Sequence, residues 1–239
     1  MAASDDLTGA AALGGDWVLE RQTGAVETAV LGFSFYQNML NVNGINLIAI
    51  DGKVNSSEVT GVVISGTTSN SGGVVQITVK DSAGNVVNAS DVATNSSAWT
   101  TTMNLSGLND GTLTVYAKQS STTAPLTSGD LATAPTIIKD TTAPDTSITS
   151  NPDATTSSTS ATFTWSGTDS GTGATGVGSY QYILDSGSWT TTSSTTVTLS
   201  GLSTAQHTFQ VRAIDVAGNT DATAASYSWT VTGLSLIHI

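Results

Sequence analysis

The chain has 239 residues, of which 10% are charged and 38% hydrophobic, with no cysteine; 18 acids face 6 basic residues, a formal net charge of −12. That balance repels phosphate backbones and anionic bilayers, and no Lys/Arg cluster offsets it, so nucleic acid and an anionic membrane surface are excluded as partners. Without cysteine there are no disulfides, no thiol chemistry and no cysteine-ligated zinc, which leaves divalent cations as the partners a carboxylate surplus attracts.

Ser, Thr, Gly, Val and Ala dominate while the strong helix formers are sparse, a composition that predicts an all-β protein. In chain order, MAASDDLTG carries neither a basic n-region nor an apolar h-region, so no signal peptide is expected. Residues 1–41, with GGDWVLERQTGAVET and VLGFSFYQNML, hold strand-like pieces but too little chain for a domain, and read as the end of an upstream region. The uncharged run Ala29–Ile50 contains four Asn and two Gly, too polar to span a bilayer.

From Val42 the texture changes. GVVISGTT, VVQITVKD and NVVNAS read as short strands divided by the turn phrases SNSGG and DSAGN. Further on, SATFTWSG, SYQYILD, TTVTLSG, HTFQVRAID and SYSWTV are divided by DSGTGATGVG, SGSW and DVAGNTD. LSGLNDGTLTVYAK from Leu105 aligns without a gap on LSGLSTAQHTFQVR from Leu199. Leu113, Val115 and Ala117 alternate with polar neighbours in the first copy, as His207, Phe209, Val211 and Ala213 do in the second, the period of a half-buried strand. A unit repeated at about the length of an immunoglobulin domain predicts tandem immunoglobulin-like β-sandwiches, one over 42–143 and one over 144–233. All four prolines, Pro125, Pro135, Pro144 and Pro152, lie in or just before KDTTAPDTSITSNP, which predicts a short, semi-rigid joint whose residues need no ladder partners. The last residues, LSLIHI, resemble a translated transposon end used in preparing sequencing libraries. Residues 234–239 are therefore expected to be adapter-derived, with the natural reading continuing past Gly233, and His238 is set aside.

INLIAIDGKVNSSEVTGVVISGTT, VQITVKDSAGNVV, WTTTMNLSGLNDGTLTVYAK and KDTTAP follow in an order that resembles the bacterial immunoglobulin-like repeats of large secreted surface adhesins. APDTSITSNP, SYQYILDSGSW and LSGLSTAQHTFQVRAIDVAGNTDA are similar to a related repeat. The resemblance implies a non-catalytic stalk or spacer module, extracellular or on the bacterial surface, whose partners are neighbouring repeats of a longer chain, with recognition of a glycan or protein target left to other modules. It also implies calcium at domain junctions. The second copy departs from the pattern, carrying STAQ where the first keeps the acidic NDG turn.

The acids supply the candidate ligands. Asp81 and Asp215 each open the phrase D-x-A-G-N, Asp221 follows the second, Asp140 and Asp145 frame Pro144, and Asp169 opens the Gly-rich loop. Calcium takes six to eight oxygens, and acidic loops beside an acidic linker can supply them; Asp and Gly-Asn are also what tight turns use on their own account. Asp81, Asp140, Asp145, Asp215 and Asp221 are taken as the candidate calcium ligands.

Other features point to structure. GTGATG has the spacing of a dinucleotide fingerprint, but a strand follows it instead of a helix, so it reads as a flexible loop. His207 heads an inward row at the rim of the core with no partner for zinc or nucleophilic chemistry nearby in sequence. Trp165 and Trp229 alternate on strands and read as core, while Trp99 and Trp189 lie beside turns, where partial exposure is expected. Exposed rings there would suit the alternative role, a carbohydrate-binding accessory module of a secreted enzyme. Asn55, Asn88, Asn95 and Asn104 open Asn-x-Ser triplets that so Ser-rich a chain produces by chance. No catalytic residue is expected.

Overall fold

The computed structural model describes residues 42–48, 51–68, 74–93, 98–120, 132–133 and 136–233. The expectations for residues 1–41, for Pro125, Pro135 and Asn95, and for the 234–239 tail lie outside the described residues. Among the described residues every regular element is a strand.

The first set of strands is β1 (Val42–Ile48), β2 (Lys53–Val54), β3 (Val62–Thr68), β4 (Val74–Lys80), β5 (Val86–Ala93), β6 (Ala98–Met103), β7 (Gly111–Ser120), β8 (Ala132–Thr133) and β9 (Ile137–Lys139). One sheet runs β1-β3-β6 and the other β2-β9-β7-β4-β5, with β8 added on β7. The second set is β10 (Asp145–Ser150), β11 (Thr155–Thr156), β12 (Ser160–Thr168), β13 (Val177–Leu184), β14 (Thr190–Thr192), β15 (Thr196–Ser200), β16 (Gln206–Asp215) and β17 (Ala225–Val231). Its sheets run β10-β12-β15 and β11-β17-β16-β13-β14. The two orders correspond strand for strand: β2 to β11, β9 to β17, β7 to β16, β4 to β13 and β5 to β14. The pairs β2–β9 and β11–β17 are the parallel ones; the rest are antiparallel. Both halves are immunoglobulin-like β-sandwiches, an all-β architecture.

Each core forms where the inward rows of two sheets meet. In the first, Val62, Ile64, Trp99 and Met103 pack on Val75, Ile77, Leu113, Val115 and Ala117. In the second, Ala161, Phe163 and Trp165 pack on Phe209, Val211, Ala213 and Trp229. Phe163 and Phe209 lie stacked with centroids 4.1 Å apart, and truncating such a fully buried ring costs roughly 3–5 kcal/mol. The period-two rows behave as their spacing requires, with Leu113, Val115, Ala117, Phe209, Val211 and Ala213 all at 0% exposure.

Two differences from the sequence reading matter. The strand β6, AWTTTM, pairs along β3 and buries Trp99 to 3% exposure, so this ring belongs to the core and not to a turn edge. The proline-rich stretch is also more ordered than a spacer without ladder partners. Lys139 closes β9, and Asp145–Ser150 form β10 against β12. Pro144 and Pro152 flank β10 outside its ladder, as their missing N–H requires. The joint itself is therefore Asp140 to Pro144.

Candidate metal centre

The joint is built from consecutive residues that bond to opposite sides. Lys139 turns into the first sandwich, where its ammonium donates to the Leu108 carbonyl at 2.8 Å and to Asp110 Oδ1 at 2.7 Å. Thr141 donates its backbone N–H (3.0 Å) and its hydroxyl (2.8 Å) to Asp110 Oδ2. Burial works against the Asp110 charge, but the Lys139 ammonium and the Thr141 donors outweigh it and hold the carboxyl below its ordinary value. Between them, Asp140 faces the second sandwich. Its backbone N–H is still bound to the Val54 carbonyl of the first, while its Oδ2 accepts from both the N–H and the hydroxyl of Thr175 at 2.8 Å.

Loops at the facing ends complete the contact. Asn55 Nδ2 donates to the Ala217 carbonyl, and the Ser56 N–H donates to Asn219 Oδ1, each at 2.9 Å. Asn219 Nδ2 donates to the Asp140 carbonyl and to Asp215 Oδ2, each at 2.8 Å. The Ala217 N–H reaches the Thr175 hydroxyl at 3.0 Å. The Gly-rich phrase, read from sequence as a flexible loop, packs against the first sandwich. A Cβ on Gly173 would collide with the backbone nitrogen of Gly111 and lie 2.5 Å from the Lys139 carbonyl. Glycine is required there by this close approach of two backbones, not by a phosphate.

Three carboxylates converge at this place. Asp140, Asp169 and Asp215 each present an oxygen, all within 4.8 Å of one another. Asp140 is fully buried and Asp215 is 4% exposed. Asp215 is oriented by the N–H groups of Gly218 and Asn219, and Asp169 Oδ2 by the N–H of Gly176. Asp169 Oδ1 is buried and accepts no hydrogen bond. Two oxygens on one calcium ion, each at about 2.4 Å, stand at most about 4.8 Å apart, so this spacing fits a single ion. Lys139, the adjacent base in sequence, is committed to Asp110 and Leu108.

The other candidates lie apart from this trio. Asp81 has both oxygens taken by the N–H groups of Ala83, Asn85 and Asn109 and by the Asn85 side chain. The Asn109 N–H is the leading cause that lowers its pKa to about 2. Asp145 is exposed at the start of β10. Asp221 is 3% exposed, with Oδ1 receiving the Thr223 N–H and hydroxyl and Oδ2 buried without a partner, but it is not part of the converging set. Asp169 enters the trio because the β12–β13 loop folds back on the joint, a tertiary fact with no signal in local spacing. Of the rings beside turns, Trp189 is half-buried and covered by the Arg212 guanidinium, 4.3 Å above its centroid. Trp99 being core, no row of open aromatic faces links these two positions.

A family described as a domain of unknown function (DUF4347) matches residues 1–40. No curated protein matches the chain. Among solved structures, the fibronectin(III)-like modules of Clostridium thermocellum CbhA are similar over 82% of this chain and 97% of theirs, at 14% identity and a TM-score of 0.46. A 1.5-MDa bacterial ice-binding adhesin is similar over 81% of this chain and 64% of the solved one, at 17% identity and a TM-score of 0.46. A tetra-tandem repeat from the extending region of a large adhesion protein is 26% identical over 78% of this chain and 48% of its own, with a TM-score of 0.32.

Proposed function

We propose that residues 42–233 form a load-bearing spacer of a bacterial surface or secreted adhesin, extracellular, with neighbouring immunoglobulin-like repeats as its partners. What supports this reading is the joint: Lys139, Asp140 and Thr141 are tied alternately to the two sandwiches, so bending between them must break the partly buried bonds from Thr175 to Asp140. A spacer transmits force through reach and stiffness, and needs no reactive group of its own. The acidic, hydroxyl-rich and cysteine-free surface suits a soluble stalk. The converging acids add a calcium ion to the proposal, held by Asp140, Asp169 and Asp215. Bound there, the ion would neutralise three neighbouring carboxylates and tie the linker to the β12–β13 and β16–β17 loops.

The test is a thermal melt of the full chain in excess EDTA and again in millimolar calcium. A ligand that binds only the folded state raises the melting temperature, and at about a hundred times its Kd contributes about 2.7 kcal/mol. The rise should vanish in Asp169→Asn, since among the three converging acids Asp169 holds the oxygen without an internal partner. An identical melt in both conditions removes the ion from the proposal. Distances between spin labels on the two sandwiches test the spacer separately, and a broad distribution in calcium would count against it.

A further inference from the structure

The end of the second sandwich remote from the joint holds an arrangement that spacing and fold do not require. His207 opens the inward row of β16 and is 6% exposed, its ring tilted against Trp229 with centroids 5.4 Å apart. Nδ1 lies 2.9 Å from Asp185 Oδ2, and Nε2 lies 3.0 Å from the Ser203 backbone carbonyl. Both are acceptors; the Ser203 hydroxyl also lies 3.5 Å from Nε2, beyond the range of a good hydrogen bond. A neutral imidazole has one N–H and can serve only one of them, leaving a lone pair facing an oxygen at the other; the imidazolium serves both. The groups that face the ring come from three elements: the β13–β14 turn gives Asp185, the β15–β16 loop gives the Ser203 carbonyl and hydroxyl, and β17 gives Trp229. Of these only Asp185 is charged.

The turn that Asp185 occupies is held at some cost. Asp185 has φ of +52°, the described non-glycine residue in the left-handed region. Its Oδ1 accepts the Thr208 N–H at 2.8 Å, and its own N–H donates to the Thr208 carbonyl at 2.7 Å. The chain leaves the sandwich beside this cluster, with the Val231 N–H bound to the Ala205 carbonyl between Ser203 and His207.

We propose that His207 is a protonation-controlled clasp: as the imidazolium it ties the β13–β14 turn to the β15–β16 loop across the outer end of the second sandwich, and loss of its proton releases the turn. The Asp185 hydrogen bond, first among the causes, raises the His207 pKa above its ordinary value, against the opposing effect of burial. A raised folded-state pKa means the stabilisation is complete below the unfolded value, near 6.5, and is lost as pH rises through the folded one. The clasp is thus closed below the ordinary histidine value and opens as pH rises through the raised one.

The experiment is an NMR titration of the full chain between about pH 5.5 and about pH 8.5, following the His207 ring together with amide exchange at Asp185 and Thr208. His207 should titrate above the ordinary histidine value. Exchange at both amides, corrected for the intrinsic pH dependence, should accelerate several-fold as the ring loses its proton. Asp185→Asn keeps a residue that tolerates the left-handed region and keeps an acceptor for Thr208, but removes the charge; His207 should then titrate lower than in the parent. Titration of His207 at or below the ordinary value overturns the proposal, as does exchange that ignores its titration. Should Asp185→Asn fail to fold, the parent titration and exchange profile decide alone.

Discussion

Gly173→Ala is the substitution that addresses the joint most directly, and Gly176→Ala supplies its control from the same loop. The two glycines have nearly the same φ, +83° at Gly173 and +80° at Gly176. An alanine in that region costs about 1 kcal/mol at either position. The surroundings differ. A Cβ at Gly176 meets nothing within 4 Å, whereas one at Gly173 meets the backbone of Gly111 and Lys139 at distances that real Cβ atoms do not adopt. Neither obstacle is a side-chain end that can swing aside, so the loop must lift off the first sandwich. Lifting it endangers the two bonds from Thr175 to Asp140 and the bond from Ala217 to Thr175. At about 1 kcal/mol each, somewhat more where a carboxylate accepts, the added loss is about 3 kcal/mol. Chemical denaturation of the two variants should therefore differ by about 3 kcal/mol, and distances between spin labels should broaden in Gly173→Ala alone. Equal stabilities with equally narrow distances would mean that the contact at Gly173 does not hold the sandwiches together.

Two further perturbations test the groups around it. Lys139→Met leaves Asp110 with only the Thr141 donors inside a nearly closed site, and should cost about 3 kcal/mol in urea denaturation, part of which Asp110→Asn added to it recovers by removing the unpaired charge. Asp81, with its pKa lowered to about 2, contributes stability that is present above the ordinary carboxylate value and is lost as pH falls toward about 2. Melts across that acid range should show a loss in the parent that is absent from Asp81→Asn, which lacks the contribution at every pH; parallel acid profiles would refute the assignment.

The sandwich rows were legible because their information is local. Leu113, Val115 and Ala117 announce a buried face by period alone, and Phe209, Val211 and Ala213 repeat it. AWTTTM announces nothing of the kind, since a run of Thr has no apolar alternation, and only its pairing with β3 makes Trp99 a core residue. The acids divide similarly. That carboxylates gather near Pro144 follows from spacing, but which of them meet depends on which loop reaches the joint. Asp169 is carried there by the fold of the Gly-rich loop. Asp81 and Asp215 open the same D-x-A-G-N phrase and accept matching bonds from their own turns, but Asp81 Oδ2 also takes the Asn109 N–H, whereas Asp215 meets Asp140 and Asp169. Nothing in the phrase distinguishes the two fates.

The difference between those two phrases also explains how one fold carries two unlike ends. Asp81 follows β4, whereas Asp215 closes β16, whose counterpart in the first sandwich is β7 and not β4. The phrases therefore sit at opposite ends of their own sandwiches, and both come to the joint because the sandwiches meet there. At the outer end of the second sandwich the counterparts of the joint residues can be read from register. Val231 pairs with Thr156 as Lys139 pairs with Val54, and the Thr232 N–H binds the Thr156 carbonyl as the Asp140 N–H binds that of Val54. Thr204 takes the place of Asp110 in the ungapped repeat. Lysine, aspartate and aspartate have become valine, threonine and threonine, so the ion pair and the linker carboxylate are both gone while every strand pairing is kept. In their place stand His207, Asp185 and the Ser203 carbonyl, a set that responds to protons where the joint presents carboxylates suited to a cation. The groups that tie one sandwich to the next therefore lie in a few residues at one end of the β7 and β9 strands, and the immunoglobulin-like fold supplies the frame on which they are mounted.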